Sequence, residues 1–216
     1  IIIQNKYFLC YKNVNIPPMG ITLKILIVSL FFNAVEARPI SYSGGHTIMH
    51  FNDNMKESLY YHYSPSYKYS FGIENLNDKV FSKSDSYLRF TYLLNRKNKK
   101  ESQRNLYFQS AFSPNNSNNF YGIHGDWETR RLFVGFGYKK IENIIDYDDK
   151  FIQLGIAPYL GKYGDFHTWL MVKTKKNSLN KKQTTYPVVK FFKGNVLLEL
   201  GYDKKTDWDI HLMYRF

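Results

Sequence analysis

Trp208-Asp209-Ile210-His211-Leu212-Met213-Tyr214-Arg215-Phe216 is the stretch that decides the fold. Trp208, Ile210, Leu212, Tyr214 and Phe216 take every second position, and Asp209, His211 and Arg215 fall between them. Side chains alternate across a strand with a period of two, whereas a helix repeats every 3.6 residues. This is a strand with one apolar and one polar face.

Reading outward from it, the same period recurs along the chain. Strand-like segments fall near 46–51, 57–63, 67–74, 86–94, 105–112, 120–128, 131–140, 151–160, 166–174, 185–192, 196–202 and 208–216. Leu132, Val134, Phe136 and Tyr138 oppose Arg131, Gly135, Gly137 and Lys139, and Leu88, Phe90, Tyr92 and Leu94 share one face. No segment sustains a helical period. The 19 Tyr and 17 Phe agree, because aromatic residues favour strands. The expected fold is all-β, an antiparallel up-and-down barrel of about twelve strands, with 10 or 14 as the alternatives.

The net charge is +12, from 30 Lys and Arg against 18 Asp and Glu. No zinc-finger, helix-turn-helix or RNP-like pattern accompanies it, so nucleic acid is not an expected partner. The basic residues sit in short clusters such as Arg96-Lys97-Asn98-Lys99-Lys100, which suit an anionic lipid surface. A mean hydropathy of −0.45 is compatible with membrane strands, whose alternation averages to mild polarity.

The start of the chain reads as a targeting segment. Met19 to Lys24 supplies a positive n-region, Ile25 to Phe32 a short apolar run, and Ala34-Val35-Glu36-Ala37 a small-residue cleavage site before Arg38. The apolar run is far below the roughly 20 residues of a membrane helix. Residues 19–37 are expected to be a signal peptide, 1–18 an upstream extension, and 38–216 one domain. Cys10, the one cysteine, lies in the extension, so no disulfide or thiol chemistry is expected after cleavage.

With these features the chain resembles bacterial outer-membrane β-barrel proteins. The specific motif is the terminal strand, in which Leu212, Tyr214 and Phe216 look like the signal read by the outer-membrane assembly machinery. The resemblance implies a transmembrane barrel in the outer membrane, with lipid, lipopolysaccharide and the assembly machinery as partners. It implies no activity, no cofactor and no oligomeric state. It also implies a periplasmic C-terminus. Counting back, the outside loops are then 52–56, 75–85, 113–119, 141–150, 175–184 and 203–207. The periplasmic turns are shorter, except for a long basic misfit at Asn95–Arg104.

Turning the apolar set of each strand toward lipid sends the polar set inward. The expected lumen residues are His62, Lys68, Glu74, Arg89, Gln109, His124, Asp126, Arg131, Lys173, Lys190, Glu199, Asp209, His211 and Arg215. His46, His50 and His167 join them in this phasing, which brings all six histidines inside. The first functional expectation is a narrow channel for passive passage or uptake of small solutes or ions. A barrel plugged by internal ion pairs, with a structural or adhesive role, is the second. An enzyme acting on lipid or peptide is the third, with His124 and Asp126 as the candidate catalytic pair on one strand face. His46, Met49 and His50 are the candidate metal ligands, although strand geometry splits Met49 from the two histidines. A periplasmic lipocalin-like binding barrel also alternates, and phase alone does not separate its inside from its outside.

Overall fold

The computed structural model describes residues 39–114, 119–161, 164–179, 181–204 and 207–216. The expectations for residues 1–38, the extension and the signal peptide, lie outside them. Twelve strands follow in order: β1 (Gly45–Asn52), β2 (Lys56–Ser66), β3 (Tyr69–Asp78), β4 (Lys83–Asn98), β5 (Ser102–Phe112), β6 (Asn119–Thr129), β7 (Leu132–Glu142), β8 (Tyr147–Ile156), β9 (His167–Asn177), β10 (Gln183–Lys193), β11 (Val196–Asp203) and β12 (Asp207–Arg215). Each pairs antiparallel with its sequence neighbour, and β1 pairs with β12, which closes the barrel.

The seam between β1 and β12 sets Thr47 opposite Arg215 and Asn52 opposite Ile210. Phe216 extends it by exchanging hydrogen bonds with His46 in both directions, at 2.8 and 3.0 Å. Closure removes the open edges that a flat sheet would expose. We call the rim holding residue 216 the terminal end and the opposite rim the far end.

Alternation is inverted relative to a soluble barrel. Ile73, Leu88, Leu132, Ile152, Leu154 and Val172 are exposed on the outer wall, while Thr47, Glu74, Arg89, Gln109 and Gln153 are buried inside. A lipocalin-like barrel has the opposite arrangement. Aromatic side chains flank the outer apolar band, with Trp208 beside Tyr202 toward the far end and Phe216 stacked on His46 toward the terminal end. These are the interfacial positions of a membrane barrel.

The misfit at Asn95–Arg104 resolves into one long hairpin. β4 has 16 residues, and its ladder with β5 continues to Asn98 opposite Gln103. A bulge between Leu93 and Asn95 inserts Leu94 and shifts the phase, so Arg96 and Asn98 still reach the cavity. The far-end connections are also shorter than expected, because strands run further: the 75–85 loop is reduced to 79–82. The longest terminal-end connection is 157–166.

Candidate functional site

The inner face encloses a cavity of about 1100 Å³. Its lining runs from Asp53 and Lys56 toward the far end to Gln103, Thr129 and Gly194 toward the terminal end. Part of the wall is apolar. Met49, Tyr60, Leu197 and Met213 from β1, β2, β11 and β12 are buried together, with Phe51 and Phe192 packed against them.

The wall formed by β6 to β10 is charged. Lys139, Lys173 and Lys190 occupy inward positions on β7, β9 and β10, and each ammonium lies over a phenylalanine ring. The distances are 4.6 Å to Phe120, 5.6 Å to Phe151 and 4.5 Å to Phe133. Ring faces attract cations, so these residues hold the lysines against the wall. Gly137 makes room for Phe151: a Cβ there would stand 2.3 Å from the ring.

Charges this far from bulk water need partners. Lys173 donates to Asp209 at 2.8 Å, and Lys190 lies 3.0 Å from Glu199, which also faces His211 at 3.8 Å. Arg89 donates to Glu74 at 2.9 Å and stands over the Tyr60 ring at 4.3 Å. Lys139 makes no ion pair among the described residues. Eleven Lys and Arg line the cavity against eight Asp and Glu, which leaves the interior positive.

The far end is narrowed by two layers. The apolar layer is Leu76, Tyr87, Ala111, Phe120, Ile141 and Tyr147 from inward positions of β3 to β8, covered by Met55, Phe81 and Leu179 from three loops. The ionic layer centres on Asp53, in the 53–55 turn that enters the barrel mouth. Its Oδ1 accepts from the backbone of Met55 and Lys56, both at 2.9 Å, and its Oδ2 accepts from Lys175 at 2.6 Å. Lys175 also lies 3.5 Å from Asp209, whose carboxylate accepts from the Tyr186 hydroxyl as well. Burial by itself would raise the Asp53 carboxyl. Lys175 and then Lys56 outweigh it and hold the group well below the usual carboxylate range. A small void of about 40 Å³ shares Asp53, Lys56, Asp149, Lys175 and Asp209 with the large cavity, so these residues divide the two spaces.

At the terminal end, residues 39–43 line the cavity. Ile40 is buried against Leu93 and Tyr107 of β4 and β5. The segment is tied to β2 by Ser41 N donating to Ser64 Oγ at 3.0 Å, and Gly44 N just beyond it donates to the Ser64 carbonyl at 2.8 Å.

Of the residues expected in the lumen, Arg89, Gln109, His124, Asp126, Lys173, Lys190, Glu199, Asp209, His211 and Arg215 line the cavity. His62 and Glu74 are buried inside the wall without lining it. Lys68 and Arg131 require correction: both lie exposed in two-residue turns at the terminal end, since their strands stop one residue short. His46 and His50 are also corrected to the outer face. His46 stacks on Tyr61 and Phe216, and His50 pairs across the ladders with outward Leu59 and Leu212. Met49 points inward to Tyr60 and Met213, so the proposed metal ligands stand on opposite faces of β1. Among the described residues no group of three His, Cys, Asp or Glu is placed to hold a metal.

His124 and Asp126 both face the cavity. His124 sits between Tyr107 and Phe151, with ring centroids 6.0 and 5.8 Å away, and Asp126 accepts from Asn105 at 2.7 Å. Trp169 lines the cavity and leans on Phe133. The alternating pattern contained no sign of Asp53, Lys175 or Lys139 as a set, because they lie in a loop and on two distant strands.

The closed wall, the outward apolar band and the polar lumen define a membrane-type β-barrel. The KdgM porin in complex with disordered oligogalacturonate is similar in fold, with a TM-score of 0.50 and 14% identity over 80% of this chain and 99% of that one. The KdgM porin by itself aligns with a TM-score of 0.49 and 15% identity over the same shares of the two chains. At such identity the likeness is one of fold. No protein-family model matches the chain. No curated protein matches it.

Proposed function

We propose that the chain is a narrow outer-membrane channel for small solutes, with a preference for anions. The observation that carries this reading is the cavity of about 1100 Å³, lined by more basic than acidic residues. A plugged structural barrel would spend its internal ion pairs filling that space. Rings and walls of charge set which ions enter a pore. Lys139 lines the lumen and makes no ion pair among the described residues, whereas Lys173 and Lys190 are paired with carboxylates within the wall. The structure similar in fold holds oligogalacturonate. That ligand is a carboxylate-bearing sugar oligomer, so acidic saccharides are reasonable first solutes to test. The terminal end faces the periplasm in this reading and the far end faces outward.

Planar-bilayer recording tests the reading. The wild-type barrel is expected to give discrete conductance steps with a reversal potential favouring chloride over potassium, and Lys139→Gln to reduce that preference. Folded barrels that insert without conductance, or that favour potassium, would overturn it.

A further inference from the structure

The outer wall carries an ionic feature that the channel does not use. At the far rim, Lys150 on β8 stands directly opposite Lys176 on β9. Lys140 on β7 is one diagonal step from Lys150, since it pairs with Asp148 while Lys150 pairs with Tyr138. Directly opposed residues are about 5 Å apart and diagonal ones about 7–8 Å, and like charges in direct opposition destabilise a sheet. Among the described residues, Asp148 is the one carboxylate that pairs with this cluster. It lies 3.7 Å from Lys150 and also accepts from the Tyr138 hydroxyl. Lys140 and Lys176 make no ion pair among the described residues.

The cluster is local to one side of the barrel. Outward positions at the far rim of β1 to β4 are neutral or internally paired: His50 with Glu57, Ser84 with Asn77, and Ser86 with Asn75. Below the lysines the outer wall turns apolar at once, with Ile152 and Leu154 on β8 and Val172 on β9 exposed. Tyr138 stands at the boundary, and the Lys150 ammonium lies 5.0 Å from its ring. Three cations therefore converge where an acyl-chain layer would end and a headgroup layer begin.

We infer that Lys140, Lys150 and Lys176 form a binding site for the phosphate groups of lipopolysaccharide in the outer leaflet. The acyl chains lie along the apolar wall beneath, and a phosphate placed between Lys150 and Lys176 relieves their opposition. Multiply charged phosphate and clustered ammonium groups are complementary. This inference rests on the reading of the far end as the outward face.

The test uses the folded full-length barrel in dodecyl maltoside and radiolabelled lipid A, either bisphosphorylated or enzymatically dephosphorylated. Wild-type protein is expected to retain bisphosphorylated lipid A through size exclusion. The K140Q/K150Q/K176Q variant should bind about ten-fold more weakly, which is the scale of one lost hydrogen bond to a charged group. Replacing the same three lysines by Arg should preserve binding, and K97Q, at the terminal end, should not change it. Dephosphorylated lipid A should not distinguish wild type from the triple Gln variant. K176Q alone removes the opposed charge and is expected to weaken binding in a barrel whose heat-shifted gel mobility shows it folded. Equal retention by wild type and the Gln variants overturns the inference, as does equal binding of the dephosphorylated lipid. A conducting barrel without lysine-dependent lipid A binding overturns this site and leaves the channel standing. Lysine-dependent binding by a barrel that does not conduct supports the site and overturns the channel.

Discussion

Asp53 joins separate parts of the molecule. It ends its own turn through two backbone hydrogen bonds and holds Lys175 from a strand 122 residues away. The charged groups around the same void are Lys175, Lys56, Lys182, Asp209 and Asp149, so ionised Asp53 brings the layer to three cations and three anions. Its folded pKa lies below the unfolded value near 4. The stabilisation is therefore complete above that value and disappears as pH falls through the folded one. Asp53→Asn is expected to lower stability by about 1.5–3 kcal/mol at neutral pH, the scale of a hydrogen bond to a charged group. Chemical unfolding in detergent checks this. The gap between wild type and variant should stay flat from pH 8 to 5 and shrink in stronger acid. The same variant should raise conductance, because Lys175 loses the anion that draws the 53–55 turn into the mouth.

Single strands show why some features were legible in the sequence and others were not. β12, β7 and β3 alternate cleanly, so their lipid face could be assigned from residues alone. β1 carries His, Thr, Ile and Met with little contrast, and its two histidines took the wrong side. The insertion at Leu94 looks like one more apolar residue, and only the ladder reveals that two residues of β4 oppose one interval of β5. Turn boundaries misplaced Lys68 and Arg131 by a residue each, enough to move a side chain from lumen to rim. Gly72 on β3 marks another property invisible to pattern. It sits opposite fully buried His62, and a Cβ there would come within 1.9 Å of the Tyr61 carbonyl oxygen. Gly72→Ala must push two backbones apart, and a loss of about 3 kcal/mol is expected. A reduced urea midpoint would show it, while a midpoint equal to wild type would mean the sheet relaxes at no cost.

For the molecule as a whole, the two ends act as resistances in series. Apolar and ionic layers narrow the far end, and the segment around Ile40 narrows the terminal end. Opening one constriction leaves the other in control of the current. Ile40→Ser and Asp53→Asn should each raise conductance modestly, and the double variant should exceed the sum of the two increments. Sites this far apart add in stability, so the stability losses should simply sum. The seam between β1 and β12 bears on how such a chain is made. Its partners, Thr47 and Arg215, are separated by nearly the whole barrel sequence. Until the final strand has been synthesised, every shorter chain carries two unpaired edges and an apolar outer wall. Long-range pairing of this kind is slow and exposes the chain to aggregation. A nascent chain would thus have to be kept apart from its neighbours for the whole interval between translation and closure, and Phe216 is among the residues that end the wait.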